Sequence, residues 1–246
     1  MGSPLSSLAA TELILGGQKS GKSRRAEQLA AAWLAGAGHR AVFIATAQPW
    51  DVEMVERIAR HQSDRAERVP GMLTVEEPLR LAEAITQHSR ADTLVVVDCL
   101  TLWLTNLLMP AEFKEKSTLA HIWPAQVATF LVALSAAPGP LVLVGNEIGL
   151  GVIPMGREVR AFVDALGTLN QQVAQRCQRV TLMAAGLPLT LKDAACSGQC
   201  FWARWFQGLL QGLPVRLPRP CRSPTTGAVP CSLPRPRSAS SACCRR

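Results

Sequence analysis

A glycine-rich segment directly after a short apolar stretch constrains the fold of this chain more than any other feature. The segment fits the pattern G-x-x-x-x-G-K-[ST] and consists of Gly16, Gly17, Gln18, Lys19, Ser20, Gly21, Lys22 and Ser23. Apolar residues 13–15 precede it, and a helix-compatible run over 24–34 follows it. The glycines allow a tight turn whose N–H groups, at the N-terminus of a helix, point at one anion. This predicts a phosphate-binding loop, and a chance match in a turn is the weaker interpretation.

Two side chains of this loop and one carboxylate elsewhere have the chemistry to handle a nucleoside triphosphate. We expect the Lys22 ammonium to reach the β- and γ-phosphates and the Ser23 hydroxyl to hold Mg²⁺. Asp98 ends the apolar run 94–97, as expected for a carboxylate that orients Mg²⁺ opposite a phosphate loop. The alternative role for Asp98 is to cap the helix that follows. With a phosphate loop present, the sequence favours a nucleotide site with Ser23 and Asp98 associated with the metal.

Length and composition fit a globular α/β protein. The chain has 246 residues, of which 48% are hydrophobic and 18% are charged. No apolar run reaches the roughly 18 residues that a membrane span needs. The start of the chain lacks a basic segment followed by a long apolar one, so no signal peptide is expected. Only Cys99 and Cys177 precede residue 193, which is typical of a reducing compartment, and we expect a cytoplasmic protein.

The positive charge is concentrated in the C-terminal part of the chain. The net charge is +8, and residues 193–246 hold eight arginines and one acid, a balance of +7, which leaves +1 for residues 1–192. A specific nucleic-acid-binding face on the folded part is therefore not expected. Residues 193–246 also hold seven of the 17 prolines, and we expect this tail to be disordered. The predicted organisation is a flexible lead-in (1–10), one domain (11–192) and the tail.

Strands and helices are predicted to alternate along the domain. The predicted strands are 12–15, 41–46, 73–75, 94–98, 140–145, 180–183 and 187–191, and the predicted helices are 23–37, 51–61, from 78 onward, 100–108, 121–137 and 157–178. This order predicts an α/β fold of the P-loop NTPase type (RecA-like), a doubly wound, mostly parallel sheet with helices on both faces and a short C-terminal hairpin. Ligands of such sheets lie beyond the carboxyl ends of the strands. Those ends carry residues 16–23, Thr46, Asp98 and Asn146-Glu147.

A histidine lies between two arginines just after the second predicted strand. A polar stretch is expected over 62–71, but if the helix continues, Arg57, His61 and Arg65 are spaced i, i+4 and i+8 and share one face. The arginines would then neutralise a bound polyphosphate and favour a neutral, nucleophilic imidazole. The alternative is an exposed polar helix face, which the spacing alone favours.

Several longer blocks resemble one enzyme family. Besides the phosphate loop they are residues 44–46, 51–61, 74–78, 98–108 (Asp98-Cys99-Leu100-Thr101-Leu102-Trp103 and onward), 146–154 (Asn146-Glu147-Ile148-Gly149 and onward) and 167–171. Over about residues 12–192 the chain resembles the bifunctional adenosylcobinamide kinase/adenosylcobinamide-phosphate guanylyltransferases of cobalamin biosynthesis. The resemblance implies that a nucleoside triphosphate phosphorylates adenosylcobinamide. A histidine then takes GMP from GTP, releases pyrophosphate, and passes the GMP on to give adenosylcobinamide-GDP.

The resemblance also implies specific site residues and partners. His61 takes the position of the guanylylated histidine, and Lys22 stabilises charge on the transferring phosphoryl group. The implied nucleotide contacts are Gly16, Gly17, Gln18, Lys19, Ser20, Gly21, Lys22, Ser23, Ala45, Thr46, Ala47, Gln62, Ser63, Asp64, Arg65, Glu76 and Asp98. The implied partners are adenosylcobinamide and its phosphate, GTP and ATP, Mg²⁺, and further copies of the chain in a homotrimer.

Three other functions compete with this interpretation. A small-metabolite kinase would use the phosphate loop and leave His61 as a surface residue. A GTPase switch would carry an N-K-x-D motif, which residues 146–149 do not match. A nucleic-acid motor would need a basic face on the folded part, and the near-neutral charge of residues 1–192 argues against one.

Overall fold

The computed structural model describes residues 8–49, 52–109, 113–152 and 154–193. The strands are β1 (Thr11–Gly16), β2 (Arg40–Ala45), β3 (Leu73–Glu76), β4 (Thr93–Val97), β5 (Leu141–Val144), β6 (Arg179–Ala184) and β7 (Leu187–Asp193). The helices are α1 (Lys22–Leu34), α2 (Val52–Arg68), α3 (Leu81–His88), α4 (Leu100–Leu108), α5 (Phe113–Ala136) and α6 (Arg157–Arg176). The tail prediction for 194–246 and the lead-in prediction for 1–7 lie outside the described residues.

All seven strands form one sheet in the order β3-β2-β4-β5-β1-β6-β7. The first six are parallel to one another, and β7 runs antiparallel to β6. The turn between β6 and β7 consists of Ala185 and Gly186, with φ of 51° and 80°, a two-residue left-handed turn that joins hairpin strands. The predicted mostly parallel sheet with a C-terminal hairpin is confirmed.

Apolar side chains alternate between the two faces of the sheet and pack against helices on both sides. On one face, Ile14 and Phe43 pack with α1 residues such as Leu29. On the other face, the buried cluster joins the sheet to α3, α4, α5 and α6, and Trp103 lies against Phe130 with ring centroids 5.1 Å apart. Burial on both faces explains why the central strands are continuous apolar runs. The doubly wound arrangement is thereby confirmed.

Three helix boundaries differ from the sequence-based predictions. Helix α2 continues to Arg68, where a polar stretch was expected from residue 62, because Arg65 and Val69 are buried against the sheet. Helix α5 begins at Phe113 and includes Pro124, although a connection was expected over 109–117. Helix α3 begins at Leu81, three residues after Pro78. None of the helices in the described part of the chain is both long and apolar enough to cross a membrane.

Candidate active site

The glycine-rich segment connects the end of β1 to the start of α1. Gly16 and Gly21 have φ of 154° and 97°, which side-chain-bearing residues rarely adopt. A Cβ at Gly16 would lie 2.5 Å from the Met183 carbonyl oxygen and 2.6 Å from Ser20 Oγ. Glycine is therefore required at Gly16 for both conformation and space, as the phosphate-loop pattern predicts.

Backbone hydrogen bonds hold this loop from two sides. The Glu147 N–H, just after β5, donates to the Gly16 carbonyl at 3.1 Å, and the Gly186 N–H of the hairpin turn donates to the Ser20 carbonyl at 3.0 Å. The Lys22 ammonium donates to the Gly17 carbonyl at 2.6 Å. Burial lowers the pKa of Lys22, and the nearby Cys99 opposes that shift. These hydrogen bonds fix the loop, and the Lys22 side chain lies along the loop, where phosphates would bind.

The ends of β2, β3 and β4 converge beside the loop. The Asp98 N–H donates to the Ile44 carbonyl at 3.0 Å, and Thr46 Oγ1 donates to the Cys99 carbonyl at 2.8 Å. Asn106 Nδ2 donates to the carbonyls of Thr46 at 2.8 Å and Pro78 at 3.0 Å. Asn106 was not among the predicted site residues. Its signal was a single amide in helix α4, whose other polar residues are two threonines. Its hydrogen bonds connect the loops that follow β2 and β3.

Helix α2 brings Gln62 and Arg65 together with Glu76 of β3, three of the predicted nucleotide contacts. The Arg65 guanidinium lies 3.7 Å from the centroid of the Phe43 ring and is only 6% exposed. Burial lowers the pKa of Arg65, and the negative charges of Asp98 and Glu27 oppose the shift. Gln62 Nε2 donates to Glu76 Oε1 at 3.3 Å. Gln62, Arg65 and Glu76 line a cavity of about 330 Å³ between α2 and β3.

His61 is exposed on α2, one turn before the buried Arg65. Its solvent-facing position leaves the imidazole accessible, but Arg65 turns toward the sheet and does not share the exposed face. The side chain of Arg57 lies outside the described residues. Asp64, another predicted contact, pairs with Arg68 at 3.0 Å, and Arg68 also pairs with Glu27 of α1 at 3.2 Å. The Arg68–Glu27 pair attaches the C-terminal half of α2 to α1.

The remaining predicted site residues lie around the same edge of the sheet. Ser23 is the second residue of α1 and is half-buried, as is Asp98. Ala45 ends β2, and its carbonyl accepts from the Glu77 N–H at 3.0 Å. Ala47 is half-buried in the following loop. The exposed positions are Gly17, Gln18, Lys19, Ser63 and Glu76.

A second pair of polar residues reaches this edge from beyond β5. Asn170 of α6 is buried, and its Nδ2 donates to the Asn146 carbonyl at 3.1 Å and to Glu147 Oε2 at 3.4 Å. Glu147 Oε1 accepts from the Gly149 N–H at 3.0 Å. Glu147 and Asn170 belong to two blocks of the family resemblance, but neither was a predicted site residue, because nothing in the local sequence indicates a contact between residues 23 positions apart.

The parallel sheet, the glycine-rich loop at the start of α1 and the carboxylate that follows β4 define a P-loop nucleotide-binding protein of the α/β class. Residues 12–191 match the family described as cobinamide kinase / cobinamide phosphate guanyltransferase. The chain belongs to this family.

Named relatives support the assignment. The chain is 46% identical to the bifunctional adenosylcobalamin biosynthesis protein CobP of Pseudomonas aeruginosa, over 74% of this chain and 96% of that protein. It is 34% identical to the bifunctional adenosylcobalamin biosynthesis protein CobU of Escherichia coli K12, over 73% of this chain and 98% of that protein. Among solved structures, the flagellar accessory protein FlaH of Methanocaldococcus jannaschii matches with a TM-score of 0.44 and 13% identity, over 79% of this chain and 83% of that chain.

Proposed function

We propose that this chain phosphorylates adenosylcobinamide with a nucleoside triphosphate and then transfers GMP from GTP, through a guanylyl-histidine, to give adenosylcobinamide-GDP and pyrophosphate. Membership of the cobinamide kinase / cobinamide phosphate guanyltransferase family supports both reactions. The observation that carries the site assignment is the convergence of two elements on one sheet edge. The phosphate loop follows β1, and α2, which bears His61, places Arg65 within electrostatic reach of Asp98.

For the kinase reaction, the phosphate loop supplies N–H donors and Lys22 supplies a positive charge to the transferring phosphoryl group. Part of the proposal is that Ser23 and Asp98 hold Mg²⁺, since a hydroxyl and a carboxylate are the hard oxygen ligands that this ion prefers. Both residues are half-buried, and they follow the parallel strands β1 and β4. When bound with the triphosphate, Mg²⁺ would neutralise charge on the phosphates.

For the guanylyl reaction, an imidazole nitrogen of His61 attacks the α-phosphorus of GTP. A nitrogen–phosphorus bond forms, the bond to the bridging oxygen breaks, and pyrophosphate leaves with that electron pair. The histidine then passes GMP to the phosphate of adenosylcobinamide phosphate. A covalent intermediate of this kind divides one difficult transfer into two easier ones. The exposure of His61 supports this role, because the acceptor must reach the same atom.

The test is covalent labelling with GTP that carries the label on its α-phosphorus. We expect an acid-labile label on His61 that is absent in His61→Ala. The matched control is His88→Ala, which removes a half-buried histidine at the end of α3 and should label like the parent chain. If the chain phosphorylates cobinamide but takes up no label, the chain is a small-metabolite kinase without guanylyl transfer.

The proposal extends to assembly and location. Val52 and Val55, on the first turns of α2, are 75% and 48% exposed, which supports burial of this helix face in a homo-oligomer, a trimer by analogy with the family. Light scattering on the purified chain tests this expectation. A cytoplasmic location is supported by the free thiols of Cys99 and Cys177.

A further inference from the structure

A cavity of about 880 Å³ lies on the α6 side of the phosphate loop, away from the cavity lined by Gln62 and Glu76. Its walls are α6, β6, β7 and the loop formed by residues 147–152 and 154. Ligand sites in proteins span about 300–1,000 Å³, so this volume suits a ligand larger than a nucleotide. We propose that this cavity holds the cobinamide and that Glu147 accepts the proton of the hydroxyl that becomes phosphorylated.

Glu147 connects the cavity to the phosphate loop. The residue lines the cavity, and its own N–H donates to the Gly16 carbonyl of the loop at 3.1 Å. Asn170 Nδ2 at 3.4 Å and the Gly149 N–H at 3.0 Å orient its carboxylate. Two oxygens provide about four acceptor positions, so capacity remains for a substrate hydroxyl. A carboxylate at this position accepts a hydrogen bond from a neutral hydroxyl and disfavours an anionic ligand in the cavity.

The polarity of the cavity walls fits an amide-bearing macrocycle. The charged lining residues are Glu147, Asp164, Arg160 and Lys192, two acids and two bases, so the walls carry no net charge. Apolar surface comes from Leu150 and Val152, which are 79% and 96% exposed at the mouth. A corrin macrocycle with peripheral amides presents both an apolar face and hydrogen-bonding groups. Cobinamide therefore matches this surface better than a nucleotide, whose phosphates need positive partners.

Hydrogen bonds hold both ends of the loop formed by residues 147–152 and 154, so this loop can form a stable wall of the cavity. Besides the contacts of Glu147, Arg160 of α6 donates to the carbonyls of Pro154 at 2.9 Å and Met155 at 2.5 Å. A third cavity, of about 640 Å³, lies on the outer surface of α5 and α6, and none of its lining residues belongs to the phosphate loop or its neighbours. Of these three cavities, the one at Glu147 joins a large ligand surface to the loop.

The proposed step balances as a phosphoryl transfer. The hydroxyl oxygen of the substrate forms a bond to the γ-phosphorus, and its proton passes to the Glu147 carboxylate. The bond between the γ-phosphorus and the bridging oxygen breaks, and the nucleoside diphosphate leaves with that electron pair. Glu147 then returns the proton to water. General-base groups of this kind contribute about 10²–10⁴-fold in rate.

The inference rests on the proposed function, and its test separates the two. Gly167 lines the cavity from α6, and nothing lies within 4 Å of a Cβ built there, so Gly167→Phe adds bulk at the cavity wall without obstruction at its Cβ. Ala161 is exposed on the same helix and does not line the cavity, so Ala161→Phe is the matched control. Cobinamide absorbs visible light, which allows its dissociation constant to be measured by equilibrium dialysis alongside that of GTP.

We expect Gly167→Phe to weaken cobinamide binding by about tenfold or more while GTP binding and His61 labelling stay within about twofold of the parent chain. Ala161→Phe should change none of the three. Unchanged cobinamide binding in Gly167→Phe would overturn the location of the site. If the parent chain shows no cobinamide-dependent nucleoside diphosphate formation, the proposed function itself fails, which the parent assay alone reveals.

The role of Glu147 has its own readout. Glu147→Gln keeps the size of the side chain and removes the base, so kcat for phosphoryl transfer should fall about 10²–10⁴-fold. The dissociation constant for cobinamide and the labelling of His61 by GTP should change little. A purely structural role for Glu147 would instead weaken cobinamide binding and leave kcat within about threefold of the parent, which would contradict the assignment.

Discussion

At the scale of single residues, the site depends on charged groups that are held in buried positions. Arg65 illustrates this best, because its guanidinium packs on the Phe43 ring and balances the negative charges of Asp98 and Glu27. A residue in such a position serves the fold and the site together. Its removal takes a buried positive charge away from Asp98 and from Glu27, which keeps its pair with Arg68, and this costs more than the loss of an exposed ion pair.

Arg65→Met is expected to lower the free energy of unfolding by about 2–4 kcal/mol, because the cation–π contact disappears and two carboxylates lose a nearby positive charge. Urea denaturation measures this effect. Arg60→Met is the control, since Arg60 is exposed on the same helix, and it should cost less than about 0.5 kcal/mol. Equal losses in the two variants would show that Arg65 is not a buried counter-charge.

A second residue-scale prediction concerns alkaline pH. Burial raises the pKa of the Cys177 thiol from 9.0 to about 12. The unfolded chain therefore releases this proton first, and the stabilisation is complete below pH 9 and is lost as the pH rises toward 12. Between pH 8 and pH 10 the parent chain should lose about 1 kcal/mol more than Cys177→Ala in reducing buffer. Denaturant titrations at both pH values measure the difference, and parallel losses would contradict the prediction.

At the scale of secondary-structure elements, a buried charge cluster joins β1, α1, β6 and β7. Glu12 is fully buried, accepts a hydrogen bond from Thr181 Oγ1 at 2.8 Å, and pairs with Arg25 at 3.8 Å and Arg179 at 3.7 Å. Arg179 also pairs with Asp193 of β7 at 3.2 Å. The cluster connects the antiparallel edge strand to the strand that leads into the phosphate loop.

Arg179→Met is therefore expected to lower the free energy of unfolding by about 3 kcal/mol, since Glu12 stays buried with one of its partners gone. Arg40→Met provides the comparison, because Arg40 pairs with Asp92 at 3.5 Å on the surface, where the two side chains are 75% and 43% exposed. That exposed pair should contribute less than about 1 kcal/mol. Similar midpoints in urea for the two variants would exclude a stabilising role for the buried cluster.

The sequence predicted those elements whose signal is local. The central strands are continuous apolar runs, and the phosphate loop is a contiguous pattern, so β1, β4, β5 and the loop lie close to where they were expected. The extension of α2 was missed because its buried positions include Arg65, which looks polar in sequence and packs on a ring contributed by β2. Tertiary contact, rather than helix propensity, decides that boundary.

The candidate site likewise contains residues with a local sequence signal and residues without one. The phosphate loop and Asp98 were predicted from one stretch each. The contact between Gln62 and Glu76 and the contact between Glu147 and Asn170 join residues 14 and 23 positions apart, and neither partner alone indicates the other. Only the strand order, which places the ends of β2, β3, β4 and β5 along one edge, brings such pairs together.

At the scale of the whole molecule, the family similarity ends close to the point where the excess of positive charge begins. The family match stops at residue 191, and the last described strand ends at Asp193. Residues 194–246 hold eight arginines and no acid, so the +8 net charge of the chain leaves 8 − 8 = 0 for residues 1–193. The chemistry and the basic character of this protein are thus predicted to reside in different parts of the chain.

Deletion of residues 194–246 should therefore leave GTP labelling of His61 within about twofold of the parent and abolish retention on a heparin column, because non-specific binding to polyanions follows positive charge and weakens with salt. A full-length variant with the eight arginines of residues 194–246 replaced by glutamine is the matched control. It should also elute early and label normally, which separates charge from chain length. A deletion variant that fails to label, beside a glutamine variant that labels fully, would contradict this prediction. The site would then require the presence of residues 194–246 but not their charge.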